Sequence, residues 1–374
     1  MKIALIGPAY PFRGGVAHHS AFLARALQKE NRVEFISWKR QYPGFLFPGQ
    51  SDLEPGPAPV KLENVHRIID PVNPLTWMAA FRRIKSFCPD LVIFPWWTAF
   101  WAPVFLFVSI LIKRSLDAKI IFICHNVFDH EAGRLKKLAA KAVLSMGDRL
   151  MVHSSEDRER IRRLTGGKKD AAWGFHPTYA PLATGKYEKG EAKKKMGLEK
   201  NRVLLFFGMV RAYKGLDVLI DAMPRVIARR KDVRLIVAGE FWEDKAKYAR
   251  RIMKHNIQDY VVIKDGYIPN DRLPDYFCAA DLAVLPYKSA SGSGVCQLAL
   301  GFGLPVIATD AGSLSEVIED GTNGGIVPTN GPQALAEAIC EALETDVLKT
   351  LTQGAAKTKD QYSWEKMADM ICGL

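Results

Sequence analysis

Short, nearly all-apolar runs alternate with amphipathic segments along the whole chain. In the first half the runs are Ile3–Ile6, Val33–Ser37, Leu91–Phe94, Ile120–Cys124 and Arg149–His153. In the second half they are Val203–Phe207, Arg234–Ala238, Val261–Lys264, Leu282–Leu285, Pro305–Ala308 and Gly325–Val327. Helical periodicity fills the gaps, as in Ser20–Glu30, Leu216–Arg229, Asp271–Ala279 and Gln333–Leu343. Strand–helix alternation of this kind predicts parallel sheets joined by crossover helices. Two doubly wound α/β halves are the expected outcome.

Length supports that count. The chain has 374 residues, and a single core stops growing near ~250 residues. The boundary is expected within Pro181–Lys200, which is rich in Gly, Lys and Glu and has no apolar run. That divides the chain into 1–185 and 186–357. Gln41–Pro59, rich in Pro and Gly, reads as a long loop near the first glycine turn. No internal repeat stands out.

Charge separates the halves further. The formal net charge is +12. Residues 1–185 carry 26 Lys+Arg against 15 Asp+Glu, and the remainder 26 against 25. A basic half joined to a neutral one fits an anionic membrane surface or an anionic acceptor, although a merely solvated face remains the plain alternative. No nucleic-acid partner is expected. Six scattered cysteines without CxxC pairing suggest a reduced cytoplasmic protein with neither a disulfide nor a zinc framework. A strand that starts at once leads to the expectation of no secretory signal. Phe94–Ile112 is apolar and aromatic, but Pro95 and Pro103 interrupt it. It reads as a core helix rather than a membrane span, which needs ~20 apolar residues. An aromatic patch dipping into the membrane interface is the other reading.

Three glycine-rich turns hold the candidate chemistry. Gly14-Gly15 follows the first strand. Gly208…Arg211…Lys214-Gly215 ends the apolar run at Phe207. Gly292-Ser293-Gly294-Val295 lies nearer the C-terminus. Two cations beside a helix N-terminus make a trap for a diphosphate. Phosphate-type turns in both halves suggest a nucleotide-linked substrate held in a cleft between two domains.

Motifs along the chain extend the pattern. Gly7-Pro8 precedes Gly14-Gly15-Val16, Cys124-His125-Asn126 ends a strand, and Val237-Ala238-Gly239-Glu240 ends another. Gly266-Tyr267-Ile268-Pro269, Ala280-Asp281-Leu282, Gly303–Thr309 and Gly312…Glu316-Val317 complete the order. In that order they resemble the retaining glycosyltransferases of family four in the GT-B class, the bacterial envelope-sugar transferases. The resemblance covers nearly the whole length. It implies GT-B architecture, two doubly wound Rossmann-like domains facing across a cleft. The first would bind the acceptor and the second the donor. Tyr362–Lys366 resembles the family's final helix, so residues from about 358 to 374 are expected to pack back onto the first domain.

The resemblance also implies roles. Arg211 and Lys214 would stabilise the departing diphosphate, as fixed cations should; their bland reading is two exposed cations at a helix start. Gly14 and Gly15 would admit backbone close to phosphate, or form a simple turn. His125 would contact the donor sugar, or be a core histidine satisfied by backbone. Ile268 would read the base edge. Glu240 would reach the donor, or cap a turn. His18 and His19 are further candidates, and His18, Asp129 and Glu131, with His130 between the last two, are candidates for the acceptor. No Asp-x-Asp occurs, so no metal or other cofactor is expected.

One departure matters. The family often carries two glutamates around its third glycine turn, whereas Ser289–Ala299 has no acidic residue. Ser291, Gly292, Ser293, Gly294, Val295 and Gln297 are the donor-binding candidates in their place. The expected activity is transfer of a sugar from a nucleotide-diphosphate sugar to a lipid-linked or polysaccharide acceptor, in the cytoplasm or peripherally on the membrane's cytoplasmic face. The alternatives are a nucleotide-sugar epimerase on the same fold, which would need carboxylate pairs, and a non-catalytic nucleotide-sugar-binding protein.

Overall fold

The computed structural model describes residues 1–44, 51–127, 133–183 and 188–374. It separates into two units, Met1–Phe175 with Trp364–Leu374, and His176–Ser363.

The first unit begins with β1 (Lys2–Ile6), α1 (Gly15–Leu27), β2 (Arg32–Trp38) and β3 (Val65–Ile69). There follow α2 (Pro74–Phe87), β4 (Leu91–Trp96), α3 (Ala102–Ser115) and β5 (Lys119–Cys124). It continues through α4 (Arg134–Leu144), β6 (Arg149–Val152), α5 (Ser155–Thr165) and β7 (Ala172–Trp173). The strands order as β3-β2-β1-β4-β5-β6-β7, and every pairing is parallel. Two strands escaped the sequence pattern, and both lie at sheet edges. β3 carries His66 and Arg67 among its apolar residues, and β7 is two residues long. Edge strands face solvent and need no continuous apolar run.

Phe94–Ile112 is core. Its start completes β4, and α3 buries Val104, Phe105, Val108 and Ile112. Trp101 stacks on Trp38 with ring centroids 4.2 Å apart. Among the described residues no helix is long and apolar enough to cross a membrane. The loop after β2 returns to the first glycine turn: Glu54 N–H donates to Pro11 O and Arg13 N–H to Asp52 O.

The second unit runs α6 (Lys189–Lys195), β8 (Arg202–Phe207), α7 (Leu216–Arg229), β9 (Val233–Gly239) and α8 (Lys245–Lys254). Next come β10 (Val261–Asp265), α9 (Leu273–Phe277), β11 (Leu282–Leu285), α10 (Gly294–Gly301) and β12 (Val306–Thr309). β13 (Gly324–Val327), α11 (Pro332–Ala342) and α12 (Thr345–Gln361) close it. Its sheet is also parallel, in the order β10-β9-β8-β11-β12-β13. α7 turns Leu216, Leu219, Ile220, Met223 and Val226 inward, the spacing of one helix face.

The units divide at 175/176, ahead of the 181–200 stretch read as a linker. Thr178 and Tyr179 already belong to the second unit, their amides donating to Tyr362 O and Gln297 O. α6 itself lies inside the supposed linker. It has no apolar run because an ion cluster anchors it: Lys189 and Lys193 each place Nζ 2.7 Å from the buried Asp281, which also accepts from Val203 N–H. Desolvation pushes the Asp281 carboxyl up, but the two lysines and the amide win and hold it below its ordinary range.

The chain returns to the first unit at Trp364, not near 358. α12 stays with the second unit through Thr358, whose Oγ1 accepts from Asn323. α13 (Trp364–Cys372) packs in the first, with Trp364 5.5 Å from Phe22 and Glu365 2.5 Å from Lys29.

Alanine ordinarily exceeds glycine in a helix interior by about 0.5–1 kcal/mol. Gly354 in α12 should reverse that sign, because a Cβ there would lie 1.9 Å from Thr322 O. Gly354→Ala is expected to lower stability by about 1–3 kcal/mol, read as a fall in the urea midpoint. A raised midpoint would show that the helix and loop separate freely.

Candidate functional site

In the first unit β1 ends at a turn whose exit is the N-terminus of α1. Gly14 is the cap residue at φ +113, a conformation that only glycine adopts comfortably. Gly15 is under no such constraint, and a Cβ on either would meet nothing within 4 Å. The first turn of α1 has no acidic residue, so its positive end is not cancelled locally. His18 is half-buried in that turn, and desolvation lowers it to about 4.

It is the next residue, His19, whose ring meets His125, at a centroid distance of 4.4 Å. His125 follows β5, and its amide donates to Trp96 O, 2.8 Å away. His153 follows β6, with ring centroids 5.5 Å from both His19 and His125. Desolvation outweighs hydrogen bonding and lowers His153 to about 4. The ring nitrogens of the three residues converge, one from each lying within 4.8 Å of the others. Asp129 and Glu131, and His130 between them, lie outside the described residues.

In the second unit two of the glycine turns come together. Arg211 caps a short 3-10 turn, Ala212–Lys214, and Gly215 starts α7. Gly215 is left-handed at φ +68, and a Cβ there would stand 1.8 Å from Pro286 O, so the turn requires glycine. Lys214 is buried, 6% exposed. A Cβ on Gly208 would lie 3.1 Å from Lys214 Nζ and 3.3 Å from Val295 Cγ2. Gly208 thus lies close to both the lysine's ammonium and the start of α10. Lys214 Nζ also lies over the Tyr287 ring, 5.7 Å from its centre, and the Tyr287 hydroxyl is 3.3 Å from Ser293 Oγ.

Desolvation, and secondarily the charge of Arg211, lowers Lys214 to about 8. Among the described residues no carboxylate lies within ion-pair distance of it. Arg211 is exposed, its guanidinium 5.0 Å from the Trp242 ring centre. A buried cation beside a second cation is a place for an anion.

The third turn is partly committed. Ser293 Oγ caps α10, accepting from Cys296 N–H, and Ser291 O accepts from Ser313 Oγ at 2.9 Å. Gly292 and Gly294 are exposed. Gln297 is 3% exposed, and its side-chain oxygen finds no hydrogen-bond partner among the described residues. Glu240 is half-buried where β9 ends, its carbonyl accepting from Val210 N–H. Ile268 is half-buried beyond β10. Sequence reasoning passed over Tyr287, Trp242 and His153. Only His153 left a signal, its position as the last residue of the run Arg149–His153.

Comparison with known proteins adds to this geometry. Residues 14–172 match a family model described as a glycosyl transferase 4-like domain, and 201–345 one described as glycosyl transferases group 1. D-inositol 3-phosphate glycosyltransferase 1 of Catenulispora acidiphila is 26% identical over 287 residues, 71% of this chain and 68% of that protein. The lipopolysaccharide core biosynthesis mannosyltransferase LpsB of Rhizobium meliloti is 29% identical over 200 residues, 50% of this chain and 55% of that one. The match thus spans about half to two thirds of these relatives. The crystal structure of HepE of Anabaena in complex with UDP aligns over 100% of both chains, with a TM-score of 0.75 at 17% identity. That likeness establishes a shared fold, the two parallel-sheet α/β domains of the GT-B class.

Burying Lys214 has a readable cost. Below pH 8 both the folded and unfolded chains hold its proton, and folding is opposed by up to ~3 kcal/mol. Between 8 and its ordinary value of 10.5 the unfolded chain binds more protons, so stability rises with pH. Lys214→Met is expected to stabilise the ligand-free protein at pH 7 by about 1–3 kcal/mol, a gain that shrinks as the pH approaches 10. Denaturant titrations at several pH values check this, and a gain independent of pH would contradict it.

Proposed function

The chain belongs to the family-four glycosyltransferases, enzymes of the GT-B class, and on that premise we propose a specific reaction. It moves a sugar, with retention of configuration and without metal in the transfer step, from a nucleotide-diphosphate sugar to a lipid-linked or polysaccharide acceptor of the cell envelope. The observation that carries the reading is the buried, carboxylate-free Lys214 beside Arg211.

When the sugar–phosphate bond breaks, charge builds on the departing diphosphate. Lys214 and Arg211 answer it, so no metal is called for. The backbone of the Ser291–Val295 turn and the N-terminus of α10 hold phosphate, and the buried side-chain oxygen of Gln297 accepts from a ribose hydroxyl. Ile268 faces the base, and Glu240 serves the donor. In the first unit Gly14 and Gly15 offer backbone to phosphate, His125 serves the sugar, and His18 the acceptor. Ser289–Ala299 supplies no carboxylate nucleophile. That supports a transfer in which the acceptor hydroxyl attacks on the face that the diphosphate leaves, its proton passing to that phosphate.

Peripheral attachment to the cytoplasmic face of a membrane belongs to the same proposal. α4 supports it, exposing Leu135 at 82% and Leu138 at 61% among Arg134, Lys136, Lys137 and Lys141. An apolar edge among cations suits an anionic bilayer surface. The name of LpsB, a lipopolysaccharide core enzyme, points to the same kind of acceptor.

The first experiment is a thermal-shift panel of nucleoside diphosphates and their sugars, UDP included because HepE was crystallised with it. One nucleotide sugar should stabilise the wild type saturably, and Arg211→Ala with Lys214→Ala should abolish the shift. In transfer assays each single variant should lose about 10²–10³ in rate. No shift with any nucleotide, and no transfer, would overturn the reading. Binding without transfer or hydrolysis would favour a non-catalytic donor-binding protein, a reading that the carboxylate-free third turn keeps alive.

The pH dependence has a definite sign. A diphosphate prefers charged Lys214, and the free protein gives up that proton above about 8. Nucleotide affinity should fall between pH 8 and 10, at the limit about 10-fold per unit. Isothermal titration reads it, and the slope should vanish in Lys214→Met.

A further inference from the structure

Three imidazoles meet at one edge of the first unit's sheet, and the proposed transfer chemistry uses only one of them. Their meeting follows from strand register. β5 and β6 pair so that Cys124 lies opposite Val152, which sets the next residues, His125 and His153, side by side where both strands end. α1, entered from β1, adds His19 from the neighbouring crossover. Trp364 of α13 also packs edge-on with His19, with ring centroids 5.0 Å apart. The three residues thus come from three separate elements and converge on one small volume.

We propose that His19, His125 and His153 form a binding site for a borderline divalent transition-metal ion of the zinc type, held wholly within the first unit. Imidazole selects zinc, copper, nickel or iron over magnesium and calcium, which want oxygen. Three protein ligands and one position left to water is the usual arrangement of an open zinc site. A tetrahedral ion with bonds of about 2.0–2.1 Å sets its nitrogens ~3.4 Å apart. The observed nitrogens already lie within 4.8 Å of one another, so a contraction of at most about 1.4 Å closes the site. The surroundings orient one ligand in advance. His153 Nδ1 is 3.1 Å from Gly174 O, and a carbonyl only accepts, so Nδ1 carries the hydrogen. That fixes the tautomer and leaves Nε2 as the donor atom for an ion, the usual second-sphere device at a histidine ligand. The ion takes no part in the diphosphate chemistry, whose cations belong to the other unit.

The test uses the full chain freed of metal, with Zn²⁺ in equilibrium dialysis and Co²⁺ as a spectroscopic stand-in. One ion per chain should bind, with the visible absorption of tetrahedral cobalt, no thiolate-to-cobalt band, and a raised melting temperature. His153→Gln and His125→Gln should each weaken binding on the order of 100-fold and lose the cobalt spectrum. Each variant's metal-free melt is recorded alongside, and a variant that does not melt cooperatively is replaced by the asparagine form. Absence of binding, binding retained in either variant, or a thiolate band from the cysteines would overturn the proposal.

Discussion

A lysine ammonium held away from water, with another cation beside it, constrains the second unit more than any other single feature. Lys214 Nζ passes where a Cβ on Gly208 would be in tight contact at 3.1 Å, and Gly215 adopts a left-handed turn against Pro286 that leaves no room for a side chain. Gly208 follows β8 directly and Gly215 closes the short 3-10 turn that carries the lysine. The opposing cost is desolvation, and the core of the unit must offset it. α7 supplies much of that core, since eight of its residues are buried immediately after the lysine. A site that is destabilising when empty and relieved by an anion is where stability is usually given up for binding.

The two units share an architecture but treat charge differently. In both, the strands run parallel, so the turns that leave them cluster at one edge of the sheet, the edge where open α/β sheets place ligands. The second unit fills that edge with an arginine and a lysine, the lysine lowered to about 8 by burial. The first fills it with histidines, at least one of them held neutral by burial. Neutral imidazoles accept a proton or a metal ion, whereas Lys214 and Arg211 answer only negative charge. This difference is one of side chains on a common frame, which is why fold alone does not assign chemistry.

The second unit's sheet was legible because its central strands β8, β9, β11 and β12 are almost wholly buried and read as apolar runs, while the edge strand β10 is half-buried but opens on Val261, Val262 and Ile263. β3 and β7 were not legible because edge strands need no such run. α6 was not legible because its anchor is ionic: four of its seven residues are lysine, and the feature that identifies it is a carboxylate far along the chain. Asp281, read as part of a family motif, proves to be that anchor. Within the candidate site the Arg211–Lys214 pair was visible as two cations on a glycine turn, a local signal. Tyr287, Trp242 and His153 act through contacts between elements, which depend on register and crossing geometry that composition does not record. His19 was read only as a further candidate, yet the helix turns it onto His125.

The missing glutamates of the third turn acquire a physical reading from the same constraint. Ser293 is occupied as the cap of α10 and lies beside Tyr287, over which Lys214 sits. A carboxylate in that turn would lie well within a Debye length of the lysine, ~8–10 Å at ordinary salt. It would raise the lysine's pKa and cancel part of the field that an incoming diphosphate meets. Without it no carboxylate in that turn offsets the two cations, and on the proposed reading the sugar would be recognised by neutral donors and acceptors. The exchange favours binding of the diphosphate over discrimination among sugars. Hydroxyl-by-hydroxyl selectivity would then have to come from residues outside the third turn.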